Sequence, residues 1–166
     1  MSPVISRFSP PWDADGWYYV CRNFNKRSKI YSNADVSPVK FPKKYFGADL
    51  IVTFDSIREG KDDHQECDFY VERDCTVALA FEKSMIENGL APEWTSDFVL
   101  SELEIITSEK KRYGIFEKDF AAGDHVVIPG FEGENTNYFV LAVPTDMCET
   151  KELLRAPRVP ALAAYP

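Results

Sequence analysis

The chain has 166 residues, 45% of them hydrophobic, 14% aromatic and 28% charged, the profile of one globular domain rather than a disordered segment. At this length roughly 70% of the unfolded surface is buried on folding, so no disulfide or metal staple is needed. A formal net charge of -8 and a calculated pI of about 4.8 argue against nucleic acid or an anionic membrane as partner, because both demand clustered Lys and Arg.

The basic residues are scattered among acids. Their densest run, Lys110-Lys111-Arg112, directly follows Glu109 and reads as a solvated loop. No stretch reaches the ~20 apolar residues of a bilayer span. The N-terminus lacks the apolar centre of a secretion signal, which leaves a cytoplasmic protein or a fragment of a secreted one.

Residues 1–16, rich in Pro, Ser and Asp, are predicted to form an irregular arm. A single β-sandwich domain is expected over residues 17–146, followed by a tail over 147–166 with a short helix near Glu149 to Arg155. Within the domain, Trp17 to Phe24 is aromatic and β-branched and predicts a strand, and Lys29 to Ser32 a short second one. Residues 33–45 contain two prolines and no helical period, which predicts a loop. Ala48 to Asp55 is the next strand, and a polar loop runs from Arg58 to Gln65.

Cys67 to Glu72 and Cys75 to Phe81 both alternate with period two, which predicts a hairpin turning at Arg73-Asp74. Phe69 and Val71 would share one face, as would Val77, Leu79 and Phe81. The opposite face of the second strand, Thr76, Ala78 and Ala80, is a row of small residues across which another element would lie. Lys83 to Gly89 predicts one helical turn stopped by the glycine, and Pro92-Glu-Trp94 lies in a loop. Strands follow at Leu103 to Thr107, Tyr113 to Lys118 and His125 to Ile128, the last after a turn at Ala121 to Asp124. Tyr138 to Val143 is apolar throughout and belongs inside a sheet covered on both faces.

About eight or nine short strands with frequent turn signals and no long helix predict an all-β fold, an antiparallel, jelly-roll-like β-sandwich. Of the cysteines, Cys21, Cys67, Cys75 and Cys148, no pair has CxxC spacing. Cys67 and Cys75 would stand too far apart along the predicted hairpin for a bridge, so free thiols are expected.

Glycoside hydrolysis needs two carboxylates facing each other across a cleft. With 27 Asp and Glu, pairs are inevitable and decide nothing; Glu72, Asp74, Glu102 and Glu104 read as solvated edges. No catalytic residue is assigned. His125 with a nearby acid is the candidate for an enzymatic reading as a lyase or isomerase, and His64 sits in a charged loop. Asp13-Ala-Asp-Gly16 offers Asp13 and Asp15 as ligands of a structural Ca2+, although turn formation explains the same residues without an ion. Sugar recognition sets an aromatic face against the C–H side of a pyranose and planar polar groups against its hydroxyls. Trp94 is the first candidate platform, and Trp12, Tyr31, Asn135 and Asn137 could line the same end of the sandwich.

From Ser28 to Pro144 the order of segments "KIYSN", "FGADLIVTF", "DFYVERDCTVALAFE", "APEWTSDF", "YGIFEKDFAAGDHVVIPG" and "NTNYFVLAVP" resembles β-sandwich modules appended to bacterial polysaccharide-degrading enzymes such as agarases and polysaccharide lyases. The chain departs from that pattern at Pro129-Gly130-Phe131, where such modules carry Gly-Gly-Asn, and at Lys83-Ser-Met-Ile-Glu87, which replaces a more polar connection. The resemblance implies a non-catalytic carbohydrate-binding or carbohydrate-enzyme-associated module, with a polysaccharide or oligosaccharide as partner. The alternative is a protein-interaction or oligomerisation module using the small-residue row and the arm, in contact with a larger enzyme or with itself.

Overall fold

The structure, a computed structural model, describes residues 3–11, 18–55, 63–132 and 137–145, without the side chains of Asp63, His64 and Glu132. Twelve strands run through the described residues: β1 (Ile5–Ser9), β2 (Tyr19–Cys21), β3 (Pro38–Lys40), β4 (Asp49–Val52), β5 (Asp63–His64), β6 (Cys67–Val71), β7 (Cys75–Glu82), β8 (Val99–Thr107), β9 (Arg112–Phe120), β10 (His125–Ile128), β11 (Phe131–Glu132) and β12 (Tyr138–Pro144). One short α-helix, α1 (Lys83–Glu87), and two 3-10 turns, Lys43–Tyr45 and Glu93–Asp97, complete the elements.

Seven strands form a sheet in the order β2-β4-β12-β7-β9-β8-β3, three form a second in the order β1-β6-β10, and β11 pairs with β5. The strand pairings are antiparallel. The molecule is an all-β antiparallel sandwich, as its sequence predicts.

The two sheets enclose one core. Ile5, Phe69, Val71, Val126 and Ile128 from the small sheet meet Val77, Leu79, Phe81, Val140 and Ala142 from the large one. A second core covers the other side of the large sheet, where Phe24, Ile30, Tyr31, Val36 and Tyr45 pack over Ala78, Ala80, Ile115, Phe139 and Leu141. With both faces covered, every residue of β7 and β12 is buried. The continuous apolar run of Tyr138 to Val143 has this cause, since a strand covered on both faces needs no polar alternation.

The small-residue row is filled by the chain itself. Ala78 and Ala80 are each 1% exposed and Thr76 8%, so this row is unavailable to a partner protein. Small side chains here let the crossing segment 24–45 approach the sheet closely enough to seat Tyr31 and Tyr45.

Four sequence expectations are corrected. Cys67 to Phe81 is no hairpin: β6 belongs to the small sheet and β7 to the large one. The turn at Glu72 to Asp74 carries the chain across the sandwich, so the apolar faces of the two strands oppose one another across the core. Period-two alternation states which face is buried, and two strands facing each other read the same as two strands side by side.

The arm is not irregular throughout, because Ile5–Ser9 forms β1 against β6. Asp49 anchors it: this 3% exposed carboxylate accepts the N–H groups of Val4 at 2.7 Å and Ile5 at 2.9 Å. The predicted loop over 33–45 contains β3, which pairs with β8 at the edge of the large sheet, and the 3-10 turn Lys43–Tyr45 that follows Pro42. Lys29 to Ser32, predicted as a strand, contributes only isolated bridges through Tyr31.

Gly89 ends α1 with φ +70°, and Gly123 makes the β9–β10 turn with φ +92°, conformations that glycine adopts at little cost. Cys21, Cys67 and Cys75 are free thiols. Cys148 and the predicted tail helix lie outside the described residues.

Candidate functional site

Among the described residues, a concave surface lies where β3 and the 3-10 turn face the far half of β8 and the start of β9. Lys40, Phe41, Pro42, Lys43 and Lys44 form one wall, Leu103, Glu104, Ile106 and Arg112 the other, around a groove of about 590 Å³. That volume falls in the ordinary range of small-molecule sites, ~300–1,000 Å³. Antiparallel pairing of Pro38 with Thr107 and Lys40 with Ile106 holds the two walls together. The wall then turns at Pro42, whose φ of -61° opens the 3-10 turn. Half-buried Phe41 is seated on Phe24 with ring centroids 4.8 Å apart. Tyr45 sits in the second core and donates its hydroxyl proton to Glu117, fixing the turn on the sheet.

Four cations thus line the groove against the single lining carboxylate Glu104. That carboxylate is shared: Lys83 donates to it, and Arg112 reaches Oε1 through Nη2 at 2.7 Å and Nε at 2.9 Å. The Lys83 hydrogen bond first, and the Arg112 charge after it, hold the Glu104 carboxyl below the ordinary carboxylate range. Lys44 lies 2.7 Å from Glu117. Lys40 and Lys43 are exposed and form no ion pair among the described residues. Sequence reasoning passed over this site because its cations come from two separate segments. The local signal was "KFPKK", an aromatic interleaved with lysines, inside a stretch read as loop.

The sugar-platform candidates fall into different settings. Trp94 stands in the 3-10 turn Glu93–Asp97, half-buried, with its ring centroid 6.3 Å from Phe81 and 6.2 Å from Phe131. It closes an end of the first core and keeps part of its surface open. Tyr31 is 1% exposed, in the second core on the other side of the large sheet; its hydroxyl meets that of Tyr113 at 2.6 Å. Asn137, also 1% exposed, donates from Nδ2 to Asp55 Oδ1 at 3.0 Å. Tyr31 and Asn137 therefore direct their side chains inward and offer nothing to a ligand in solution. Trp12, Asp13, Asp15 and Asn135 lie outside the described residues.

His125 stands on the outer face of the small sheet. Its Nε2 is 2.9 Å from Asp68 Oδ1 and its ring stacks on Tyr70 with centroids 4.4 Å apart. Arg7, at a bulge of β1 with φ +48°, covers the Tyr70 ring at 3.9 Å. The histidine and the arginine approach from the strands on either side of β6, which makes a surface stack rather than a cleft.

The fold thus defines a class, an antiparallel sandwich with a cationic groove at one edge of its larger sheet. Among solved structures it is similar to a β-glucuronidase of glycoside hydrolase family 2, with a TM-score of 0.70 and 14% identity over 87% of this chain. The match spans only 15% of that enzyme's chain. A looser likeness, TM-score 0.49 and 15% identity, links 87% of this chain with 18% of a family 138 enzyme targeting pectin rhamnogalacturonan II, too distant to bear on the fold. No protein-family model and no curated protein matches the chain. Among the described residues, no helix is long and apolar enough to cross a membrane.

Proposed function

We propose that the chain is a non-catalytic module of a carbohydrate-active enzyme and that it holds a glycan. The observation that carries the reading is the sandwich itself: 87% of the chain follows a unit that makes up 15% of a glycoside hydrolase. A module of this kind is one part of a larger enzyme and contributes binding rather than bond cleavage.

The groove between Lys40–Lys44 and Leu103–Arg112 suits such a role. Phe41 gives it a partly open aromatic ring, Leu103 and Ile106 extend an apolar floor for the C–H face of a sugar, and the flanking polar groups suit hydroxyls. Half-buried Trp94 is a second platform.

Isothermal titration of the whole chain against a panel of soluble polysaccharides tests the reading. Saturable binding, with a Kd between about 1 mM and 1 μM as is ordinary for a single small site, and no release of reducing sugar, is expected. Absence of binding across neutral and acidic glycans, or steady release of reducing ends, would overturn it.

A further inference from the structure

The cations around the groove are not equivalent. Arg112 and Lys83 share Glu104, Lys44 is matched by Glu117, and Lys111 lies 3.3 Å from Glu82. Lys40 and Lys43 stand apart as exposed ammonium groups with no carboxylate among the described residues. Arg112 engages Glu104 through Nε and Nη2 on a side chain that is 61% exposed. In a chain of net charge -8, two unmatched ammonium groups on one groove make a local positive patch, and low-dielectric walls focus its field.

We infer that this groove selects an acidic polysaccharide, one whose sugar rings carry carboxylates, with Lys40 and Lys43 meeting the carboxylates and Phe41 and Leu103 the apolar sugar face. The inference rests on the reading of the chain as a glycan-holding module and names the class of glycan. A free phosphate ion would use the cations and leave the apolar wall idle. Nucleic acid requires a longer basic track to offset repulsion from the acidic remainder of the surface. A neutral glycan would use the wall and leave the cations unpaired. A ring bearing a carboxylate uses both.

The test is titration of the whole chain with polygalacturonate and polyglucuronate, beside dextran, neutral galactan, dextran sulfate, duplex DNA and inorganic phosphate. Folding of each variant is checked by circular dichroism. The parent chain should bind at least one polyuronate and weaken as salt is raised. The Lys40→Ala/Lys43→Ala variant should lose about tenfold or more in affinity, the sum expected of two exposed charge contacts, while Lys40→Arg/Lys43→Arg should retain it.

Preference for dextran or galactan, with the alanine variant unaffected, would overturn the charge inference and leave the module reading standing. Binding of dextran sulfate or DNA as tightly as any polyuronate would show a non-selective polyanion patch and overturn it too, as would binding of phosphate alone. No glycan binding at all would remove both readings.

Discussion

Arg22 Nη1 lies 2.5 Å from Asp49 Oδ2, and the same carboxylate oxygen receives the backbone N–H groups of Val4 and Ile5. One buried acid on β4 therefore fastens the first strand of the small sheet to the large one. Arg22 also donates from Nη2 to the carbonyl of Ile5 at 3.0 Å. Removing the acid strands two buried donors and a cation. Asp49→Ala should cost about 2–6 kcal/mol, the penalty of leaving two buried N–H donors without an acceptor. Arg22→Ala should cost less, because the guanidinium is half-exposed and the two backbone bonds to Asp49 survive. Urea denaturation of both variants checks the order.

The core holds protons on groups that would lose them in the unfolded chain. Burial pushes the Cys67 and Cys75 thiols up to about 12. It also raises the hydroxyls of Tyr31, Tyr113 and Tyr138. A group whose folded value is raised contributes stability that is fully present below its unfolded pKa, about 8.5 for Cys and 10 for Tyr. That contribution is lost as pH rises toward the folded value. Denaturation midpoints should therefore hold to about pH 8 and fall through pH 9–11. In a Cys148→Ser background, a thiol reagent at pH 8 should modify half-buried Cys21, slowly because burial raises its pKa as well, and leave Cys67 and Cys75 untouched until the chain unfolds.

Ala80 lies under the second core at 1% exposure, opposite Phe139 on β12 and Ile115 on β9. A larger side chain has nowhere to go without lifting the segment that carries Tyr31 and Tyr45. Ala80→Leu should destabilise by about 1–3 kcal/mol, the usual cost of overpacking, as read from thermal unfolding. A neutral or stabilising result would mean that this face is looser than the cluster around it.

Trp94 can be separated from its packing role. Trp94→Ala removes a partly buried ring from Phe81 and Phe131 and should lower stability by about 2–4 kcal/mol, somewhat under the figure for a fully buried tryptophan. Trp94→Phe keeps an apolar ring on the core and should cost about 1 kcal/mol. If Trp94 also touches glycan, Trp94→Phe weakens binding measurably while the thermal midpoint moves little.

Much of the fold was legible because burial writes itself into sequence. The unbroken apolar run of Tyr138 to Val143 announced a central strand, and β12 indeed lies between β4 and β7. His125 to Ile128 and the turn before it were equally plain. What failed was pairing. The alternation of Phe69 and Val71, then of Val77 and Leu79, records a buried face, and nothing local says whether the next strand lies beside the first or across the core. β1 was hidden because residues 1–16 are rich in the residues of loops, and its anchor, Asp49, stands far along the chain.

The platform candidates show the same limit. Tyr31 and Asn137 have residue types suited to sugar, yet Tyr113 and Asp55 engage them inside the protein. The groove escaped notice for the converse reason. Lys40, Lys43 and Arg112 are unremarkable in sequence and become a site only when β3 docks on β8.

Amide chemical-shift mapping of the whole chain with a soluble polyuronate shows directly where a glycan sits. Shifts should concentrate at Lys40 to Lys44, Leu103 to Ile106 and Arg112. Shifts gathered instead around Trp94 and Phe131, or on the outer sheet face near Tyr70 and His125, would contradict the assignment of the groove.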